Sequence, residues 1–346
     1  MKIIMDAMGG DHAPDAIVRG ALQAAKEYPV EIVLVGRGAD LLASIKSQGY
    51  DTLPAGVQIL NAEDIVDMHA DPTQVVSQHR NSSMVMGLKM LTEGADAFIS
   101  AGNTGALLTA ATLVVKRIRG IRRAALAPIL PSEQGGIVLL DAGANAECTP
   151  EFLLQFACMG AFYAKQALGK ANPRVALLNN GTEPEKGGEL QKAAYPLLQK
   201  AGEDGLIHFV GNIEARDVPL GGADVIVADG FSGNVLLKTM EGTAIFMSHM
   251  LKKDVFKRSL LSMLGARLCM KGIKKLSKTM DYRETGGSVI VGISKPVIKA
   301  HGSSDALAIR NAIRQAIAAV ESGFCEEIRA NVSNMSLPKE RAAHAE

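Results

Sequence analysis

Val225-Ile226-Val227-Ala228 runs straight into Asp229-Gly230-Phe231-Ser232-Gly233-Asn234, and a helical pattern through Val235 to Met240 follows. A continuous apolar run of this length reads as a strand covered on both faces, and the Gly-rich polar turn marks its end. The same construction recurs five times. Lys2 to Asp6 precedes Met8-Gly9-Gly10-Asp11, Ala95 to Ser100 precedes Gly102-Asn103-Thr104-Gly105, and Ile137 to Asp141 precedes Gly143-Ala144-Asn145. Val175 to Leu178 precedes Asn179-Asn180-Gly181-Thr182-Glu183, and Pro296 to Lys299 precedes His301-Gly302-Ser303-Ser304-Asp305. In an open parallel sheet such turns emerge together at the carboxyl edge, where glycine lets backbone N–H groups approach an anion. Function is therefore expected on loops along one edge.

Outward from these turns the pattern alternates. Helical spacing covers Asp15 to Glu27, Ala39 to Gln48, Ser83 to Thr92, Thr104 to Arg117, Pro150 to Leu168 and Gly187 to Lys200. The fold expected is α/β, a doubly wound and mostly parallel sheet in a Rossmann-like three-layer α/β/α arrangement. We expect a single large domain over residues 1–330 and a frayed polar tail over 331–346. Helix starts are marked by Pro150 after Thr149, and by Ser232 or Asn234 as the cap of the helix after Gly233.

Residues 250–280 break the alternation. They carry large apolar residues, including Leu261 and Leu264, at helical spacing beside cations such as Lys257 and Arg258, with Asp254 the single acid between Met250 and Met280. A basic amphipathic helical pair of this kind suits an anionic membrane surface, an acidic protein or a dimer contact.

Composition narrows the function. With 346 residues, 47% of them hydrophobic, the chain can bury a large core, while 4% aromatics, no Trp and a net charge of +1 argue against a nucleic-acid partner. Cys148, Cys158, Cys269 and Cys325 show no metal-ligand spacing and read as reduced thiols. The amino terminus enters a strand at once and no apolar run nears the roughly 18 residues of a spanning helix, so the expected location is cytoplasmic, with at most peripheral membrane contact.

Neither a full dinucleotide fingerprint nor a nucleoside triphosphate loop is present, and no cofactor is expected. Asp6, Asp11 and His12 suit a turn better than a metal, and no metal is expected. Lys186, among the turn residues Gly181 to Gly188, either projects into a cleft or is simply solvated. Asn234 either caps its helix or holds a carbonyl oxygen, and His301 at a strand end can meet an anion or protonate a leaving group. Lys116, Arg117, Arg119, Arg122 and Arg123 suit a helix carboxyl end or an acidic partner.

Met5-Asp6-Ala7-Met8-Gly9-Gly10-Asp11, Ser100-Ala101-Gly102-Asn103-Thr104-Gly105-Ala106, Asp141-Ala142-Gly143-Ala144-Asn145 and Asp229-Gly230-Phe231-Ser232-Gly233-Asn234 together resemble the PlsX family of phosphate acyltransferases. Leu177-Leu178-Asn179-Asn180-Gly181-Thr182-Glu183 and His301-Gly302-Ser303-Ser304-Asp305 extend the resemblance in the same order over nearly the whole chain. It departs from the family at Ser77-Gln78-His79-Arg80-Asn81, where a more basic run is common.

The resemblance implies a fold similar to the isocitrate dehydrogenase and phosphotransacetylase group, a homodimer, and transfer of a long acyl chain from acyl carrier protein to inorganic phosphate. The acyl phosphate would feed a glycerol-3-phosphate acyltransferase at the inner face of the cell membrane. On that reading Lys186, Asn234 and His301 are the catalytic candidates. Asp6, Gly9, Gly10, Asp11, Ser82, Ser83, Gly102, Asn103, Thr104, Asn145, Asn180, Glu183 and Ser303 are candidates for substrate or phosphate contact. Lys257, Arg258, Leu261, Leu264, Arg122 and Arg123 are candidates for membrane or carrier-protein contact. A short-chain phosphate acetyltransferase using coenzyme A thioesters and a non-catalytic membrane adaptor for acyl carrier protein remain the alternatives.

Overall fold

The computed structural model describes residues 1–256, 259–273 and 281–335. Twelve strands occur in that part of the chain: β1 (Lys2–Asp6), β2 (Glu31–Gly36), β3 (Val57–Asn61), β4 (Ala97–Ser100), β5 (Ala125–Ala127), β6 (Ile129–Ser132), β7 (Gly135–Leu140), β8 (Arg174–Asn179), β9 (His208–Glu214), β10 (Val225–Val227), β11 (Gly287–Val291) and β12 (Val297–Ala300). They form two sheets where the sequence suggested one. The first has seven strands in the order β3-β2-β1-β4-β12-β11-β5, and the second has five in the order β6-β7-β10-β8-β9. Pairing is parallel except at β11, which runs against β12 and β5, and at β6, which runs against β7.

The split is small in sequence and tight in space. Only Pro128 separates β5, at the edge of the first sheet, from β6, at the edge of the second. Proline has no N–H for a ladder, so a break there costs no hydrogen bond. The seam is closed by Asp141, just beyond β7, whose Oδ1 accepts the Leu126 N–H at 2.9 Å while the Ala142 N–H donates to the Leu126 carbonyl at 3.1 Å.

Burial explains why the apolar runs are continuous. Ile3, Ile4, Ile32, Leu34, Phe98, Val225, Ile226 and Val227 are all buried, because helices cover both faces. The helix Pro150–Leu168 is buried nearly all round from Leu153 to Ala164 and packs on β7 and β10. Its buried Gln155 side chain is satisfied by the Arg122 N–H at 2.9 Å and the Gly120 carbonyl at 3.0 Å.

Local boundaries shift where tertiary contacts intervene. The helix expected over Thr104 to Arg117 is α-helical over Thr104–Ala110, widens to a π-helical turn over Ala111–Val115 and ends before Lys116, whose φ is 71°. The helix after β10 is longer than its periodicity suggested, spanning Gly230–Met250. Beyond it come a π-helical turn, Leu251–Phe256, and a helix, Leu260–Leu268, with no strand among the described residues of 250–280. Leu261 and Leu264 lie on that helix, while Lys257 and Arg258 fall outside the described residues. Within the expected tail, Val332–Met335 form a 3-10 turn and Met335 is buried, so the described residues of that segment are folded.

Candidate active site

The six Gly-rich turns divide three and three. The turns after β1, β4 and β12, which are neighbours in the first sheet, converge on one another. The Asp11 N–H donates to the Gly302 carbonyl at 2.8 Å, and a Cβ at Gly9 would stand 2.7 Å from the Gly102 nitrogen. The turns after β7, β10 and β8 are likewise neighbours in the second sheet.

In the first cluster Asp6 is the organiser. Its Oδ1 accepts the Ser83 hydroxyl and its Oδ2 accepts the Ser100 hydroxyl, each at 2.6 Å, with the Met8 N–H at 3.3 Å. Burial raises its carboxyl above the ordinary carboxylate range, against the lowering effect of those hydrogen bonds. Ser82 caps the helix Ser83–Thr92 by accepting the Val85 N–H, and Asn103 caps the helix Thr104–Ala110 by accepting the Ala106 N–H. Asn103 also donates to the carbonyls of Met68 and Ala70. The polar atoms of Asp6, Ser82, Ser83 and Asn103 are thus engaged within the fold, and these residues shape the loops. Thr104 opens its helix, Gly10 and Gly102 line the convergence, and Asp11 is exposed beside them. Among the described residues no cluster of three His, Cys, Asp or Glu side chains suits a metal.

The β12 turn carries the catalytic candidate of this half, His301. Ser303 approaches His301 twice, with its N–H 3.2 Å and its hydroxyl 2.8 Å from Nδ1. An Nδ1 that accepts the backbone N–H leaves the ring proton on Nε2. Desolvation, with the nearby positive charges of Lys238 and Lys299, lowers the pKa of His301, which keeps the ring neutral near pH 7 although its rim is exposed. The turn ends at Asp305, which caps the helix Ala306–Ser322 through the Ala308 N–H and is itself held by Arg283 at 2.9 Å.

One residue of this edge escaped the sequence reading. Lys299, one position before the end of β12, is only 8% exposed. Burial pushes its ammonium down to about 8, against the pull of Asp6 and Asp11 and helped by the like charge of Lys238. A lysine at a strand end gives no sequence signal of burial; its register beside Ser100 on β4 creates it.

In the second cluster Asp141 plays the part of Asp6. Besides Leu126 it accepts the N–H groups of Ala144 and Asn145 and the Asn145 side-chain amide, and burial raises its pKa. Asn145 also donates to the Ala124 carbonyl at 2.8 Å, so its side chain too is used internally. The helix Gly230–Met250 starts hard against this loop. A Cβ at Gly233 would lie 1.9 Å from the Asp141 carbonyl oxygen, a distance only glycine permits.

That helix is capped by neither Ser232 nor Asn234. Asp229 is the cap, accepting the Ser232 N–H and hydroxyl, each at 2.8 Å. The spacing Asp229-x-x-Ser232 would have revealed this. Asn234 is therefore exposed in the first turn, makes no side-chain hydrogen bond to the described residues, and faces Gly143, whose φ of 125° keeps that wall free of a side chain. Four residues along, Lys238 lies on the same helix face and pairs with Glu241 at 2.7 Å, and its charge reaches both His301 and Lys299. The helix so brings the second cluster to the first.

Lys186 stands after β8, the neighbour of β10. Its backbone is fixed by the Glu183 carbonyl and the Asn179 amide, its stem crosses Gly181, and its exposed ammonium forms no ion pair with the described residues. Glu183 and Asn180 are exposed beside it. Arg122 and Arg123 are exposed next to Ala124, which Asn145 holds, and Arg123 lies 5.5 Å from the centre of the Phe152 ring. Nearby Cys148 is no thiolate, since burial pushes its thiol up to about 12.

A family model described as "Fatty acid synthesis protein" matches residues 1–327. The phosphate acyltransferase of Geobacillus thermodenitrificans is 47% identical over 339 residues, 97% of this chain and 100% of that protein. That of Desulfitobacterium hafniense is 45% identical over 342 residues, 98% and 100% of the two chains. This chain belongs to the PlsX family of phosphate acyltransferases. In fold it is similar to a phosphotransacetylase from Streptococcus pyogenes, with a TM-score of 0.60 at 18% identity over 93% of this chain and 94% of that one. The helices and strands that place Lys186, Asn234 and His301 are thus those of a PlsX-family phosphate acyltransferase. Among the described residues no helix is long and apolar enough to cross a membrane.

Proposed function

We propose that the protein moves a long-chain acyl group from acyl carrier protein to inorganic phosphate, giving an acyl phosphate for phospholipid synthesis. The observation that carries the reading is Asn234, an amide with no side-chain hydrogen-bond partner among the described residues at the mouth of a glycine-lined turn, beside a cluster that presents Lys186, a cation with no ion pair among the described residues. Phosphate is itself the nucleophile and a thioester is already activated. The protein has to position both and stabilise the tetrahedral oxyanion.

In this mechanism a phosphate oxygen attacks the thioester carbonyl carbon. Lys186 holds the phosphate or the developing oxyanion, and the Asn234 amide donates to the carbonyl oxygen. Collapse of the intermediate breaks the carbon–sulfur bond. The proton of the phosphate hydroxyl ends on the departing sulfur as a thiol, and the His301 Nε2–H donates a hydrogen bond that stabilises the charge developing on that sulfur or on the phosphate. Cys148, held as a thiol, takes no part, which fits direct transfer without an acyl-enzyme.

Arg122 and Arg123 supply a basic rim suited to an acidic carrier protein. The helix Leu260–Leu268 and its basic flanks serve peripheral contact with an anionic membrane, where the alkyl product is delivered. Liposome flotation of Leu261→Glu/Leu264→Glu beside the wild type tests that part, and equal binding of both would count against it.

The central test is incubation with palmitoyl-acyl carrier protein and inorganic phosphate, followed by hydroxylamine trapping and mass spectrometry. Phosphate-dependent palmitoyl hydroxamate is expected. Product from acetyl-CoA alone would favour the short-chain reading, and carrier binding without product would favour the adaptor.

A further inference from the structure

Asp6, Ser100 and Lys299 stand side by side across β1, β4 and β12, since Asp6 pairs in register with Ser100 and Ser100 with Lys299. Neighbours in a parallel register project to the same face of the sheet. Within this row Asp6 is fully engaged by Ser83, Ser100 and Met8, and Ser100 gives its proton to Asp6. Lys299 differs from them. Of its three N–H donors one goes to the carbonyl of Ala300, and no other described residue accepts from it or pairs with it. Five positions on, Ser304 is 2% exposed and its Oγ has no hydrogen-bond partner among the described residues. Two buried polar groups on one short segment, both short of partners and both beside the converged turns, are costly in a fold unless a ligand meets them.

We propose that Lys299 is a ligand-binding residue, the charge at the base of an anion seat that takes the oxygens of a phosphate group, with the Ser304 hydroxyl as a second donor. The charged groups that bear on it are Asp6 from β1, Asp11 from the turn after it and Lys238 from the helix Gly230–Met250. The first two favour the charged ammonium and keep it available for an anion, and burial strengthens each hydrogen bond it makes. The shared chemistry is a phosphate group, either inorganic phosphate or the phosphate ester of a phosphopantetheine arm. The inference rests on the acyl-transfer reading only in naming those two sources.

Calorimetric titration of the full chain with inorganic phosphate and, separately, with 4′-phosphopantetheine distinguishes the sources. For wild type, Lys299→Met, Lys299→Arg and Ser304→Ala, we expect one of the two ligands to bind Lys299→Met roughly 10- to 100-fold more weakly, the range of one charge-assisted hydrogen bond, with partial recovery in Lys299→Arg. Ser304→Ala should weaken the same ligand by about 5-fold, as for a neutral donor. Loss confined to inorganic phosphate makes this the acceptor's seat, with a raised KM for phosphate and an unchanged KM for the acyl donor. Loss confined to phosphopantetheine makes it the donor's. The proposal is overturned if both ligands bind Lys299→Met as they bind wild type, or if wild type binds neither. It is equally overturned if Lys299→Met does not fold and Ser304→Ala binds normally. A protein that forms no acyl phosphate yet loses phosphate binding in Lys299→Met would refute the acyl-transfer reading and keep the seat; normal turnover with unchanged binding would refute the seat alone.

Discussion

Replacing Lys299 by methionine should stabilise the ligand-free protein at neutral pH and lose that advantage in alkali. The size follows from the burial of one ammonium. Its pKa falls from an ordinary 10.5 to about 8, and at about 1.4 kcal/mol per unit this is about 3 kcal/mol of unfavourable charging in the folded state. Methionine fills a similar volume without charge but gives up the hydrogen bond to the Ala300 carbonyl, worth about 1 kcal/mol, so the net gain at pH 7 is about 2 kcal/mol. The sign with pH comes from proton binding. Between about 8 and 10.5 the unfolded chain holds the lysine proton and the folded chain releases it, so wild-type stability rises with pH through that window while the variant's does not. Above the window the charging cost is gone and the variant should be the weaker by about 1 kcal/mol, the hydrogen bond alone. Urea unfolding of both proteins at pH 7 and near pH 10 reads this directly, because other titrating groups cancel in the difference. A stability difference that does not change with pH would refute the reasoning.

Other outcomes follow from the same geometry. Lys186→Ala and Asn234→Ala should each lower turnover by about 10²- to 10³-fold in the palmitoyl phosphate assay, the cost of one oxyanion donor, with unchanged melting temperature because both side chains are exposed. Gly233→Ala forces a methyl group onto the Asp141 carbonyl oxygen and should cost at least about 2 kcal/mol by thermal or urea denaturation, while Gly242→Ala, which meets no atom within 4 Å, should cost nothing. His301 has a folded pKa below that of the unfolded chain, so its contribution to stability is present at neutral pH and is lost as pH falls below about 6.5. Its imidazole resonances should titrate lower than those of a denatured sample, and His301→Gln should flatten the acid side of the stability profile.

Much of the architecture was legible along the chain because it rests on local rules. Continuous apolar runs such as Val225 to Ala228, followed by Gly-rich turns and helical spacing, mark covered parallel strands wherever they occur, and the turns after β1, β4, β7, β8, β10 and β12 were all read in that way. β3, β5, β6, β9 and β11 gave weaker signals: β5 and β6 are short and separated by one proline, and β3 and β9 are edge strands with exposed positions. The break between two sheets was hidden for the same reason, since it is made by Pro128 and by the long-range bonds of Asp141 with Leu126.

The sequence by itself determined the α/β class, the family, and the loops and residue types that carry chemistry, because these depend on neighbours within a few positions. Tertiary structure alone decided which polar residues are free. Asp6, Ser83, Asn103 and Asn145 find partners as far as 94 positions away in the case of Asp6 with Ser100, and are thereby used within the fold. Asn234 is left available because Asp229 takes the cap. Lys299 becomes a buried cation because β12 docks beside β4 and the helix Gly230–Met250 carries Lys238 close to it. Hydrogen bonding and desolvation act through space, so the protonation and availability of a side chain are properties of its surroundings in the fold, which its place in the chain does not reveal.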